Sequence, residues 1–223
     1  VPETLLGTAI ATAMLPTLSE FASRDKWREF RLAIERALRV LIALTIPIAA
    51  VMAAGINPLV RAAFGFDADM STLITWTTRA YLITLTGYSI HEIAARSFYA
   101  RKEPIFPLYA VIVRLALFIG IGYFGITLFK HIGAPVIAFA EIALLIESIF
   151  LFVWLSRRMH EPIVVWSAVA KGTIATVIGG VTAYLLAAYI PGPAVLTALL
   201  GMTIGGIVCL PIIWSEIKLL LKL

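Results

Sequence analysis

Charged residues and cysteine are both scarce in this sequence. Only 14% of its 223 residues are Asp, Glu, Lys or Arg, against about 25% in a typical soluble domain, and the mean hydropathy is +0.98. These values exclude an ordinary soluble domain. The single cysteine, Cys209, lies in an apolar run. No disulfide can therefore form within the chain, and no cysteine-based metal site is supported.

Long apolar runs are what the sequence has instead. Stretches of about 18 residues or more, enough to cross the hydrocarbon core as a helix, recur along the chain. They are continuously apolar rather than alternating, which argues against barrel strands. The pattern predicts an all-α, polytopic membrane protein with about seven transmembrane helices, near 1–18, 37–56, 72–95, 104–129, 132–155, 163–190 and 193–215.

Proline and glycine mark the expected ends of these spans. Residues 55–58 are expected to end the second span, Pro104 to open the fourth, and residues 191–193 to form a tight turn between the last two. Pro47 and Pro211 lie inside spans and are expected to kink them, which membrane helices tolerate.

The order of the spans assigns each loop to one of the two sides of the membrane. Lys and Arg are distributed unevenly between these sides. One side has only Arg61 and Lys130. The positive-inside rule therefore predicts that the chain starts from outside and ends in the cytoplasm. The net charge of +5 then reports topology and does not indicate a nucleic-acid partner. The cytoplasmic side holds Arg24, Lys26, Arg28, Arg31, Arg36, Arg39, Arg96, Arg101, Lys102, Arg157, Arg158, Lys218 and Lys222.

Residues 21–39, FASRDKWREFRLAIERALR, have an amphipathic pattern. Trp27, Phe30, Ile34 and Leu38 recur at steps of three and four residues, with basic residues on the other faces. This pattern predicts a helix at the level of the inner headgroups, beside anionic lipids. A basic connector without lipid preference is the alternative.

Three stretches together resemble one known family. They are GTAIATAMLPTLSEFAS at 7–23, FYARKEPIFP at 98–107 and HIGAPVIAFAEIALLIESIFLFVWLSRR at 131–158. Their order and spacing resemble the MurJ/MviN family, the lipid II flippases of the MOP exporter superfamily. The resemblance implies the second half of a fourteen-span, two-lobed fold. That fold moves lipid II, a polyprenyl-pyrophosphate-linked glycopeptide, across the bacterial inner membrane by alternating access.

The resemblance also implies a domain organisation. Residues 1–20 would be the end of a transmembrane helix, 21–39 the interfacial helix, 37–158 the C-terminal lobe, and 163–223 two accessory transmembrane helices. The expected partners are lipid II, anionic lipids and an N-terminal half of the same chain. We expect no cofactor.

Arg101 is the candidate substrate-binding residue, because an arginine that matters in the family falls at this position. A guanidinium binds phosphate through a planar, often bidentate fork. The alternative role is a cytoplasmic anchor, which we favour for Arg96 and Lys102, the weaker candidates.

Several ionisable residues lie inside apolar runs, where they are costly and usually face the protein interior. At 1.5 Å per residue, Arg114 and Glu147 both lie about 13–15 Å from the inner surface. They are predicted to form a buried ion pair with a structural role. Lys171 is expected to reach the inner surface with its long side chain. A proton relay through His91 and Glu92 is disfavoured, since adjacent helical residues point to different faces.

Other functions remain open from the sequence. An O-antigen-unit flippase or a cation-coupled drug exporter of the same superfamily is the main alternative, although the FYARKEP loop and two extra spans favour lipid II. A membrane enzyme would need an Asp/His cluster at the membrane face, and none is present, so we expect no enzyme. His131 and His160 have no ligand-spaced partners, and no metal site is predicted. A purely structural membrane subunit also stays open.

Gly201 and Gly205 form a GxxxG pattern, which favours close packing of the last two helices. In the family these two helices flank a hydrophobic groove for the lipid tail. Ordinary helix packing explains the glycines equally well.

Overall fold

The computed structural model describes residues 7–129, 134–159 and 161–219. All the regular structure within these ranges is helical, which confirms the predicted all-α, polytopic membrane fold. The α-helices are α1 (Ala9–Ser23), α2 (Trp27–Phe64), α3 (Ala68–Ile83), α4 (Leu85–Ala100), α5 (Ile105–Leu128), α6 (Ala134–Ala140), α7 (Ile142–Arg157), α8 (Trp166–Tyr189) and α9 (Ala194–Ile217).

Helix α2 is the central element of the fold. It packs against α1, α3 and α4 on one side and against α8 and α9 on the other. The predicted end at residues 55–58 is wrong, because the helix continues through Pro58 to Phe64 and ends at Gly65, whose φ is 61°. Gly55 serves close packing instead, since a Cβ there would lie 2.7 Å from Met202 Cε of α9.

The predicted interfacial helix over 21–39 is also not a separate element. Helix α1 ends at Ser23, and α2 runs without interruption from Trp27 into the membrane-spanning region. Phe30, Ile34 and Leu38 are completely buried in the protein core. The amphipathic stripe is real, but its apolar face contacts protein, and an amphipathic pattern alone does not distinguish a protein neighbour from lipid.

Two of the predicted spans are interrupted. The span near 72–95 is divided at Thr84 into α3 and α4, each of 16 residues, where the Thr84 hydroxyl donates a hydrogen bond to Tyr81 O at 2.8 Å. The span near 132–155 is divided at Glu141 into α6 and α7. The local side-chain bond of Thr84 competes with the helical pattern, whereas Glu141 makes no side-chain cap bond. Hydropathy reveals neither interruption.

Five helical segments in the described ranges are long and apolar enough to cross a membrane. The first predicted span lies partly outside the described residues, since α1 is described only from Ala9. The five segments are Trp27–Phe64, Ile105–Leu128, Ala138–Arg157, Trp166–Tyr189 and Ala194–Ile217.

Helices α8 and α9 form a closely packed hairpin around the predicted turn at 191–193. A Cβ at Gly201 would lie 2.6 Å from Ala183 O, and one at Gly205 would lie 2.6 Å from Gly179 O. The two backbones therefore touch, which confirms the predicted packing role of this GxxxG pair. The hairpin rests mainly on α2.

Candidate functional site

Helices α1 and α4 end in the same kind of turn. The Lys26 N–H donates to Phe21 O and the Glu103 N–H donates to Phe98 O, each at 2.9 Å. The residue before each donor is left-handed, with φ of 55° at Asp25 and 60° at Lys102. These are Schellman turns. Because α1 and α4 pack together, the two turns lie side by side, and each has an arginine just before its left-handed residue.

A cavity of about 750 Å³ lies between these two turns. We call it the loop cavity. Its cationic lining comes from Arg24, Arg101 and Lys102, and its aromatic lining from Trp27 and Tyr99. Glu20 also lines it and forms an ion pair with Arg24 at 3.0 Å. Aromatic and cationic side chains around an open space suit a ligand that combines a ring with an anionic group.

The Arg101 side chain is held in place, but part of its hydrogen-bonding capacity is unused. Its Nε lies 3.4 Å from Glu103 Oε2, and its guanidinium carbon lies 4.9 Å from the centre of the Trp27 ring. Arg158 holds Glu103 from the other side, at 3.0 Å. The two terminal nitrogens of Arg101 make no hydrogen bond to the described part of the chain, so they remain available to an anion.

The two weaker candidates differ in position. Lys102 is exposed at the rim of the loop cavity. Arg96 does not line the cavity. It forms an ion pair with Glu92 on its own helix and donates to Thr12 Oγ1 of α1 at 3.1 Å, which ties α4 to α1.

A second cluster of polar side chains lies between α4, α5 and α7. Arg114 Nη2 donates to Glu141 Oε2 at 3.1 Å, whereas its Nε lies 3.9 Å from Glu147 Oε2. His91 Nδ1 lies 3.3 Å from Glu147 Oε1. The structure thus brings Arg114 and Glu147 together, as the sequence predicts, and adds Glu141 and His91. Glu141 stands out in the sequence as an ionisable residue inside an apolar run, but it was not predicted to pair with Arg114, because residues six apart do not share a face of a regular helix.

A third polar group was missed from the sequence. The Glu216 carboxylate accepts hydrogen bonds from Arg39 of α2 and from Ser167 and Lys171 of α8. Lys171, which was expected to extend toward the inner surface, has its Nζ 2.7 Å from Glu216 Oε1 and 2.7 Å from Ser215 Oγ, and its side chain is 34% exposed. The available signal was a glutamate near the C-terminal end of an apolar run, with basic residues, Arg39 and Lys171, near the N-terminal ends of two others.

An apolar groove of about 480 Å³ lies between α2 and α9, and not between α8 and α9. The α8 and α9 backbones are in direct contact at Gly179, Gly201 and Gly205. The groove is lined mainly by aliphatic side chains and methionines, among them Leu44, Ile48, Val51, Met52, Met202 and Ile207.

The sequence of the chain matches the model of a known family, described as lipid II flippase MurJ, over residues 1–207. The chain belongs to this family. It is 28% identical over 176 residues to the lipid II flippase MurJ of Burkholderia cenocepacia, which covers 74% of this chain and 32% of the relative. It is 26% identical over 164 residues to the probable lipid II flippase MurJ of Rhizobium meliloti, covering 72% of this chain and 30% of the relative.

The fold is similar to that of a solved MurJ family structure. The structure of a lipid II flippase MurJ in an inward closed conformation superposes with a TM-score of 0.77 at 22% identity. The alignment covers 95% of this chain and 43% of that one. This chain therefore spans about a third of the length of the sequence relatives it matches.

No three His, Cys, Asp or Glu side chains within the described ranges lie close enough together to hold a metal ion. His131 and His160, considered from the sequence, lie outside the described residues.

Proposed function

We propose that the full-length protein moves lipid II across the bacterial inner membrane, and that this chain supplies its second lobe and two accessory helices. The carrying observation is the family match over residues 1–207, on an all-α membrane fold that agrees with it. In this proposal the loop cavity faces the cytoplasm, because most Lys and Arg lie on that side, and the C-terminus is cytoplasmic. The family is one of transporters, and we propose no catalytic step.

Within this function, Arg101 contacts the diphosphate of the substrate. Its position supports this role, since Glu103 and Trp27 fix the guanidinium while its terminal nitrogens remain available. A fork fixed in this way loses little side-chain entropy on binding an oxyanion. Lys102 supplies a second positive charge at the rim, and the aromatic rings of Trp27 and Tyr99 offer faces for a sugar or peptide group.

The groove between α2 and α9 suits the polyprenyl tail of the same substrate. It is almost entirely apolar along its length, so a hydrocarbon tail that moves there from the bilayer exposes no polar group, and van der Waals packing would hold it. The basic loops around the loop cavity would attract anionic headgroups, each Lys or Arg near the surface contributing about 1 kcal/mol.

The test is an Arg101→Lys substitution in the full-length protein. The positive-inside rule treats Lys and Arg alike, but Lys lacks the bidentate fork. We therefore expect normal membrane abundance and loss of most lipid II translocation, measured by complementation of flippase-depleted cells and by a translocation assay. Arg96→Lys is the matched control and should stay near wild type. Full complementation by Arg101→Lys at normal abundance would make Arg101 an anchor only.

A further inference from the structure

Glu147 is a buried carboxylate without hydrogen bonds. Its side chain is 0% exposed, and neither carboxylate oxygen has a hydrogen-bond donor among the described residues. An ionised carboxylate in such surroundings is strongly disfavoured unless it is paired or neutralised. The question is therefore what balances its charge.

Among the described residues, the charged groups around Glu147 leave one negative charge in excess. Helix α4 supplies His91, at 3.3 Å from Glu147 Oε1. Helix α5 has one charged residue, Arg114, at 3.9 Å from Glu147 Oε2. That guanidinium makes its hydrogen bond to Glu141, at the α6–α7 break. One guanidinium thus serves two carboxylates, because the other charged side chains of α4 within the described helix, Glu92 and Arg96, pair with each other.

The distance between His91 and Glu147 is set by close packing of α4 on α7. Gly87 lies one turn before His91, and a Cβ there would lie 2.6 Å from Leu145 Cδ2 and 3.2 Å from Ser148 Oγ of α7. His91 Nδ1 has no hydrogen-bond partner among the described residues. It lies 3.3 Å from the Glu147 oxygen, and this contact becomes an ion pair only when the imidazole carries an additional proton.

A neutral imidazole leaves the excess negative charge of the cluster in place, whichever nitrogen carries its hydrogen. One further proton on the pair, carried by the imidazole or the carboxyl group, makes the whole cluster neutral. His91 is 17% exposed whereas Glu147 is fully buried, so the imidazole is the side of the pair from which a proton can enter or leave.

We propose that the His91–Glu147 pair is a binding site for one exchangeable proton. The site is distinct from the loop cavity, and it does not depend on which lipid the full-length protein moves. When the proton is bound, it cancels the one negative charge that the guanidinium of Arg114, shared between Glu141 and Glu147, does not balance.

The test measures proton binding through stability. The full-length protein is unfolded at equilibrium in mixed micelles between about pH 7 and pH 9, above the ordinary titration range of histidine and glutamate. A proton held only by the folded state makes unfolding more favourable as pH rises, by about tenfold in the equilibrium constant per pH unit. We expect this dependence in the wild type and its loss in Glu147→Gln. Equal pH dependence in the two proteins would overturn the proposal.

Two controls complete the experiment. Glutamine has the charge of the protonated carboxyl, so Glu147→Gln should accumulate in the membrane as the wild type does, and failure to accumulate would count against the proposal. Glu216→Gln, at the other buried carboxylate, should keep the wild-type pH dependence. The measurement is repeated with sodium in place of potassium at constant ionic strength. If sodium removes the pH dependence, an alkali-metal cation balances the charge instead and the proton site is refuted.

Discussion

Glu147 and Glu216 are the same residue type, both lie in apolar membrane helices, and their side chains are 0% and 1% exposed. Their surroundings nevertheless differ. Glu216 accepts two hydrogen bonds from Arg39, at 2.8 and 3.1 Å, and one from Lys171 at 2.7 Å. Glu147 has an imidazole at 3.3 Å and a guanidinium at 3.9 Å, without a hydrogen bond.

The supply of donors, and not burial, separates the two sites. A buried carboxylate whose oxygens are saturated by fixed cations holds helices together and has no capacity left for a ligand. Glu216 therefore joins α2, α8 and α9. A buried carboxylate with unfilled oxygens is instead a place where something can bind.

The largest expected effect is that of Glu216→Leu. This change removes the carboxylate that Arg39 and Lys171 share and leaves Arg39 only its longer contact with Glu35, at 3.9 Å. Breaking such a buried pair costs about 3–5 kcal/mol. The free energy of unfolding in mixed micelles measures the loss. Glu161→Gln is the control, because Glu161 is 64% exposed in its ion pair with Arg31 and exposed pairs contribute at most about 1 kcal/mol. Equal losses in the two variants would show that Glu216 is not a structural clamp.

Arg114→Leu should have the next largest effect, about 1.5–3 kcal/mol, the usual contribution of a hydrogen bond to a charged group. A double-mutant cycle then compares Arg114 with each carboxylate. We expect stronger coupling to Glu141, at 3.1 Å, than to Glu147, at 3.9 Å. The reverse order would mean that Arg114 and Glu147 form the primary pair, as the sequence alone suggests.

The sequence predicts the level of a charged residue along its helix well, but it predicts the ion-pair partner of that residue poorly. The helical rise of 1.5 Å per residue is enough to put Arg114 and Glu147 at one level, because α5 starts and α7 ends at a recognisable loop. It does not reveal the contact between Arg114 and Glu141, which lies at a local interruption of the helix that hydropathy does not show. Glu216 and Lys171 were missed as partners for a related reason, since a long cation near the surface is equally compatible with water and with a neighbouring carboxylate.

In the fold, too, some features were predicted from the sequence and others were not. Apolar length and the 191–193 turn were sufficient to predict α8 and α9 and their glycine contact. For Phe30, Ile34 and Leu38 the pattern gave the correct helix face, but their neighbour is protein and not lipid. Pro58 was taken as a helix end, although a membrane helix tolerates proline where neighbouring helices satisfy the backbone.

The smallest of the three expected losses in the free energy of unfolding is that of substituting a glycine at a helix contact, and two such glycines can be compared. Gly205→Ala would place its Cβ 2.6 Å from Gly179 O, a backbone atom that cannot move alone, so we expect a loss of about 1–3 kcal/mol. At Gly87 a Cβ would lie 2.6 Å from the tip of Leu145, which can rotate, and 3.3 Å from Leu145 Cα, which needs to move only slightly. We therefore expect Gly87→Ala to cost less than Gly205→Ala, about 1 kcal/mol. The free energies of unfolding of both variants test this, and a larger loss for Gly87→Ala would show that the α4–α7 contact is the more rigid one.

Helix α2 also has a mechanical consequence. Its 38 residues correspond to about 57 Å of helix, which exceeds the full thickness of a bilayer, about 40–45 Å. The stretch from Trp27 to Ile46 contains no proline, and it connects the ring beneath Arg101 to the wall of the apolar groove. The Arg39–Glu216 ion pair lies between these two points along the helix. If this stretch tilted as a rigid body about Arg39, Trp27 and Leu44 would move in opposite directions.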